Sequence, residues 1–155
     1  MKQPSNSHIL GRLLMPVAFV LMVISCGIDT KPQPVAVGKD DCAGCGMTIE
    51  DPKFACEFIS DKGKCYKFDD VSCLFHYLHK QHLSDSAVAK IYVANYAQPD
   101  SLIDVTKASL VLGAGIHSPM NGGVAAFSNP GEARNFAVNT KSILLDSWQR
   151  LKVQH

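Results

Sequence analysis

An excess of charge of either sign is missing from this sequence. Fifteen Lys and Arg stand against fourteen Asp and Glu, a formal net charge of +1 over 155 residues, and there is no basic stripe of the kind that tracks a phosphate backbone. Nucleic acid is therefore excluded as a partner. A long apolar run is missing too. The longest, Leu13 to Ile24, has twelve residues, too few to cross a bilayer as a permanent helix. The one Cys-x-x-Cys, Cys42 to Cys45, has no second to pair with, so a four-ligand structural zinc site lacks its other half. Nor can a helix of useful length start after it, because Gly46 and Met47 lead into Thr48-Ile49-Glu50-Asp51-Pro52. Without a helix N-terminus to lower a thiol pKa, thioredoxin-type chemistry recedes.

What is present begins with a targeting signal. Lys2 and Arg12 precede the apolar run, which ends in Val23-Ile24-Ser25-Cys26, a sequence similar to a bacterial lipobox. Residues 1–25 read as a lipoprotein signal peptide, with Cys26 as the lipidated mature N-terminus. The chain is then expected in the cell envelope, anchored to the membrane and facing the periplasm. Residues 26–38 contain two prolines and no periodicity, and read as an extended tether. Five cysteines remain, Cys42, Cys45, Cys56, Cys65 and Cys73. An odd number cannot all pair in an oxidising compartment, so at least one thiol is free or bound to something.

The rest reads as an α+β domain from residue 39 to about 152, divided at about residue 98. Residues 53–59 and 64–68 alternate as a hairpin, with Phe54, Cys56, Phe58, Tyr66 and Phe68 on one face and Cys65 on the other. Cys56 is then a small core residue. Asp69 or Asp70 caps a helix to about Gln81, whose Val71, Leu74, Phe75 and Leu78 form one buried stripe. His76, His79 and His82, spaced by three, could pair on one side of it as metal ligands, but a polar solvated face is the preferred reading. A strand at residues 90–96, a turn at Pro99-Asp100 and a short strand at 102–105 follow. Strands at 109–112 and 123–127 then lead into a helix capped by Asn129, with Pro130 at its first position. Phe68-Asp69-Asp70-Val71 and Phe127-Ser128-Asn129-Pro130 both join an aromatic strand end to a capped helix, which makes a weak internal repeat. A last helix, residues 141–151, is expected to bury Leu144, Leu145, Trp148 and Leu151.

The chemistry concentrates in Cys42-Ala43-Gly44-Cys45-Gly46-Met47. A Cys-x-x-Cys alone admits a redox disulfide, half a zinc site or a soft-metal grip. Two thiols and a thioether within six positions fit Cu(I) best, which accepts two or three soft ligands. The glycine-rich loop 113–123 carries His117 and Met120, candidate further ligands, and loops of that length usually have a function. Cys45 and Met47 lead the candidate set, followed by Cys42.

Lipobox Cys26, Cys42-Ala43-Gly44-Cys45-Gly46-Met47, Lys53-Phe54-Ala55, Phe68-Asp69-Asp70-Val71, Ser118-Pro119-Met120 and Ala125-Ala126-Phe127 together resemble the NosL family, the nitrous-oxide reductase accessory lipoproteins, over most of residues 40–138. The resemblance implies two similar ββαβ units, here 39–98 and 99–155, the second extended by a C-terminal helix. It also implies a Cu(I) chaperone, not an enzyme, that serves the copper-sulfide cluster of nitrous-oxide reductase. Its implied partners are a membrane ABC-type transporter and the transporter's periplasmic subunit. A thiol-disulfide carrier and a metal-free assembly scaffold remain the alternatives. The final strand of the second unit has no counterpart in this reading.

Overall fold

The computed structural model describes residues 27–145 and 147–152; residues 1–25, read above as a signal peptide, and Cys26 lie outside the described residues. The elements run β1 (Cys56–Ser60), β2 (Cys65–Phe68), α1 (Val71–Lys80), a 3-10 turn (Asp85–Ala87), β3 (Val88–Asn95), β4 (Gln98–Asp104), β5 (Ser109–Leu112), β6 (Val124–Phe127), α2 (Pro130–Asn139), β7 (Ile143–Leu145) and α3 (Trp148–Lys152). The order strand, strand, helix, strand thus occurs twice, as β1-β2-α1-β3 and as β5-β6-α2-β7. Both units share one sheet of order β2-β1-β3-β6-β5-β7, with β4 beside β3. Within each unit the strands stand in the same spatial sequence, second, first, last, and pair antiparallel. The units meet at a single parallel pair, Asn95 with Ala126.

The expected hairpin register holds, with Phe58 opposite Tyr66, their rings stacked at 4.7 Å. Asp70 is the cap of α1, its Oδ1 accepting from the Ser72 N–H at 2.8 Å. Asn129 caps α2 through the Gly131 N–H at 2.8 Å. Strand β6 is buried on both faces. Val124 and Ala126 join a large cluster that contains Phe58, Phe68 and Leu74, while Ala125 and Phe127 join a smaller one with Ala133 and Ala137 of α2. Alternation along one strand therefore assigns the two long helices to opposite faces of the sheet.

Three expectations are corrected. The single helix over 141–151 is instead strand β7 followed by the short α3. Lys141 adopts φ +52° just past the end of α2, and the apolar Ile143-Leu144-Leu145 run then pairs with the open edge of β5, supplying the strand the second unit lacked. Leu144 is exposed, whereas Leu145, Trp148 and Leu151 are buried. Pro99 is not in a turn but inside β4, which pairs with β3 alone among the described strands, the edge setting that tolerates a residue without an N–H. The tether is not free either. Tyr92 Oη donates to the Thr30 carbonyl at 2.7 Å, Gln33 N–H to Glu57 Oε1 at 2.9 Å, and Lys67 Nζ to the Pro34 carbonyl and to Asp40, both at 2.7 Å. A proline-rich segment needs few backbone bonds of its own, so side chains of the β1–β2–β3 face can hold it down.

Candidate metal centre

Residues 41–48 form a tight loop closed by an Asp41–Thr48 bridge. Inside it, Cys42 N–H donates to the Met47 carbonyl and Gly46 N–H to the Cys42 carbonyl, both at 2.8 Å. Ala43 N–H donates to the Lys67 carbonyl at 2.8 Å, which ties the loop to the end of β2. The Asp70 cap starts α1 immediately afterwards, so Cys73 falls in the first helical turn, beside the loop. At Gly44 a Cβ would lie 2.8 Å from the Cys73 carbonyl oxygen. Glycine is required there because loop and helix approach backbone to backbone.

The consequence is a cluster of three thiols. The sulfurs of Cys42, Cys45 and Cys73 all lie within 4.8 Å of one another, the first and last buried and Cys45 exposed. Two thiolates on one metal at about 2.3 Å each stand at most about 4.6 Å apart, so a shift of a few tenths of an ångström closes them on an ion. Burial raises the Cys42 pKa, but N–H groups of Asp69, Cys45 and Gly44, together with the Cys45 thiol, outweigh it and hold Cys42 below the ordinary thiol value. Cys73 moves the other way, raised well above that value by burial first and then by its two thiol neighbours. The set therefore combines one sulfur predisposed to the thiolate with one that gives up its proton only to a competing cation.

Cys56 and Cys65 stand apart from this cluster. Cys56 is fully buried, with its pKa pushed well up by burial. Cys65 donates to Glu57 Oε2 at 3.2 Å on the opposite face, and burial together with that carboxylate pushes it up to about 12. All five described cysteines are free thiols.

Residues 34–146 match the NosL family model. The chain belongs to the NosL family. Among solved structures, the crystal structure of the copper chaperone NosL from Shewanella denitrificans is similar, with a TM-score of 0.66 at 20% sequence identity over 77% of this chain and 94% of that chain. No curated protein matches.

In this NosL chain the loop after β5 is bound to the start of α1. Asp70 Oδ2 accepts from Ser118 Oγ at 2.5 Å, Met120 N–H at 3.1 Å and Gly122 N–H at 3.2 Å. Met120 consequently lines an open groove of ≈ 620 Å³ that it shares with Cys45, Cys73, His76 and His79. Of the residues singled out from sequence, Cys42 and Cys45 come together, and Met120 stands at the groove that Cys45 lines. Met47, 57% exposed, and His117, also exposed, are not among the groove's lining residues. Sequence reasoning missed Cys73, which falls between the buried and solvated stripes of its helix. The available signals were the odd cysteine count and a position three residues past a capping aspartate.

Proposed function

We propose that this chain is a lipid-anchored periplasmic copper chaperone, a carrier and not an enzyme. It holds Cu(I) on Cys42, Cys45 and Cys73 and delivers it for assembly of the copper-sulfide cluster of nitrous-oxide reductase. The observation that carries the reading is the convergence of three thiols in a member of the NosL family. Thiolates select a soft monovalent ion over harder cations. The exposed Cys45 leaves a side from which an acceptor's ligand can attack, so retention is traded for exchange. The family resemblance supports passage by way of an ABC-type transporter and its periplasmic subunit, and the lipobox supports anchoring at Cys26. Ile28 lies against Gly63 in the β1–β2 turn, at the end of β2 away from Cys73.

The test is an anaerobic Cu(I) titration of the reduced chain against a competing chelator. Cys42→Ser, Cys45→Ser and Cys73→Ser should each weaken the first equivalent about tenfold or more, and Cys56→Ser should leave it unchanged. Met47→Leu and His117→Gln determine whether those two residues add to the set. Wild-type affinity in all three cysteine variants of the cluster would sink the reading. Uptake of no metal would favour the scaffold, and a reversible Cys42–Cys45 disulfide with reductase activity would favour the redox carrier.

A further inference from the structure

We propose that His76, His79 and Met120 form an outer metal-holding stage in the groove, across which a soft monovalent cation moves to and from the three thiols. The inference rests on the thiol cluster being the cargo site and assigns a function to residues that site does not use. Cys73, His76 and His79 are spaced by three on α1, so consecutive members are neighbours on the helix surface. Each step of three advances about 4.5 Å along the axis. All three line one groove with Met120, whose loop is pinned to the same helix by Asp70 and by a 3.5 Å bond from Ser72 Oγ to the Met120 carbonyl. The groove therefore takes the exposed Cys45 thiol and the buried Cys73 at the start of α1, beside the exposed Met120 thioether, and continues to the exposed imidazoles of His76 and His79.

That series of donors has a chemical direction. Thiolates hold a soft monovalent ion more strongly than imidazole or thioether, and both of the latter still accept it. In the transfer step a bond from Met120 sulfur or His76 nitrogen to the metal forms as the bond from Cys45 sulfur breaks. The freed thiolate is reprotonated from solvent, and the metal keeps its oxidation state, so no electron moves. His82 serves as an internal contrast. It follows at the next spacing of three, at φ +50° beyond the helix end, with its ring 6.4 Å from that of His79, but it does not line the groove.

The experiment titrates the reduced full chain with Cu(I), follows histidine imidazole resonances by NMR, and measures transfer to a chromogenic chelator. The expected result is a first equivalent that Cys45→Ser weakens, followed by a second, weaker one that shifts the His76 and His79 resonances. The double variant His76→Gln/His79→Gln should lose the second equivalent and transfer copper about tenfold more slowly, with its first equivalent unchanged, while His82→Gln behaves as wild type. A wild-type chain that binds one equivalent and no second overturns the outer stage alone, as does a double variant with unaltered transfer or a His82→Gln variant impaired to the same degree. A chain whose first equivalent is indifferent to Cys42→Ser, Cys45→Ser and Cys73→Ser alike overturns the thiol reading beneath it.

Discussion

At the scale of single residues, the site depends on one missing side chain. Gly44 lets the Cys42–Cys45 loop lie against the Cys73 carbonyl, and neither backbone partner can swing aside as a flexible side chain would. Gly44→Ala is expected to push the loop off α1. Overpacking of this kind costs about 1–3 kcal/mol, measurable by urea denaturation, and the spreading of three sulfurs should lower Cu(I) affinity at the same time. Wild-type affinity in this variant would show that the loop can rebuild the cluster elsewhere. The Cys-x-x-Cys was legible because its two thiols are close in sequence. Cys73 was not, because nothing in a one-dimensional pattern states which helix N-terminus a loop will meet. The residue that makes Gly44 necessary, Cys73, stands far along the chain in α1.

At the scale of elements, Asp70 joins two that the sequence treats separately. Its role as a helix cap could be read from the apolar spacing that follows it. Its grip on Ser118, Met120 and Gly122 could not, because those partners are 48 to 52 residues on. Asp70→Ala removes the cap and three bonds to a carboxylate, one from a buried serine hydroxyl. A loss of about 3 kcal/mol is expected, with accelerated hydrogen exchange at the Met120 and Gly122 amides as the check. The docked segment 30–40 is the other element-scale surprise, and Glu57 is its anchor. Burial raises the Glu57 pKa above its ordinary 4.5, against the lowering effects of the Gln33 N–H, the Cys65 thiol and the Lys67 charge. A carboxyl raised in the folded state binds its proton more tightly there than in the unfolded chain. Its contribution to stability is therefore present below the unfolded value of 4.5 and is lost as pH rises through the folded pKa. Glu57→Gln keeps one oxygen to accept from the Gln33 N–H, turns its NH2 toward the Cys65 sulfur as donor, and has no proton to lose. Between about pH 4 and about pH 8 the wild-type melting temperature should fall relative to that of the variant; parallel curves would mean that Glu57 titrates as it does in the unfolded chain.

At the scale of the molecule, the two ββαβ units resemble separate domains in sequence but fold around a common core. The repeat was visible in its strand ends and caps, and the α+β class with it. The missing final strand was hidden because Ile143-Leu144-Leu145 suits a helix or a strand equally by periodicity, and only the open edge of β5 decides between them. Between the sheet strands the hydrogen bonding is thin, since β3 and β6 share one paired position, supplemented by Tyr96 N–H to the Ala126 carbonyl at 2.7 Å and Asn95 Nδ2 to Ser128 Oγ at 3.1 Å, and Asp70 adds its bonds to Ser118, Met120 and Gly122 at the start of α1. Packing supplies the rest. The large cluster draws Phe58, Phe68 and Leu74 from the first unit and Leu110, Ala126, Leu145 and Leu151 from the second. Trp148 of the second unit stacks on Phe75 of α1, with ring centroids 5.1 Å apart and planes 17° from parallel. Units of about 60 residues are marginal when isolated, and each here leaves part of its apolar surface to be covered by the other. One cooperative transition is therefore expected, with Trp148 fluorescence and far-UV circular dichroism coincident in urea. Trp148→Ala should cost about 3–5 kcal/mol and shift the whole transition rather than detach the second unit. Two resolved transitions, with the fluorescence change confined to one, would mean that the units fold independently and that the shared cluster contributes little to joining them.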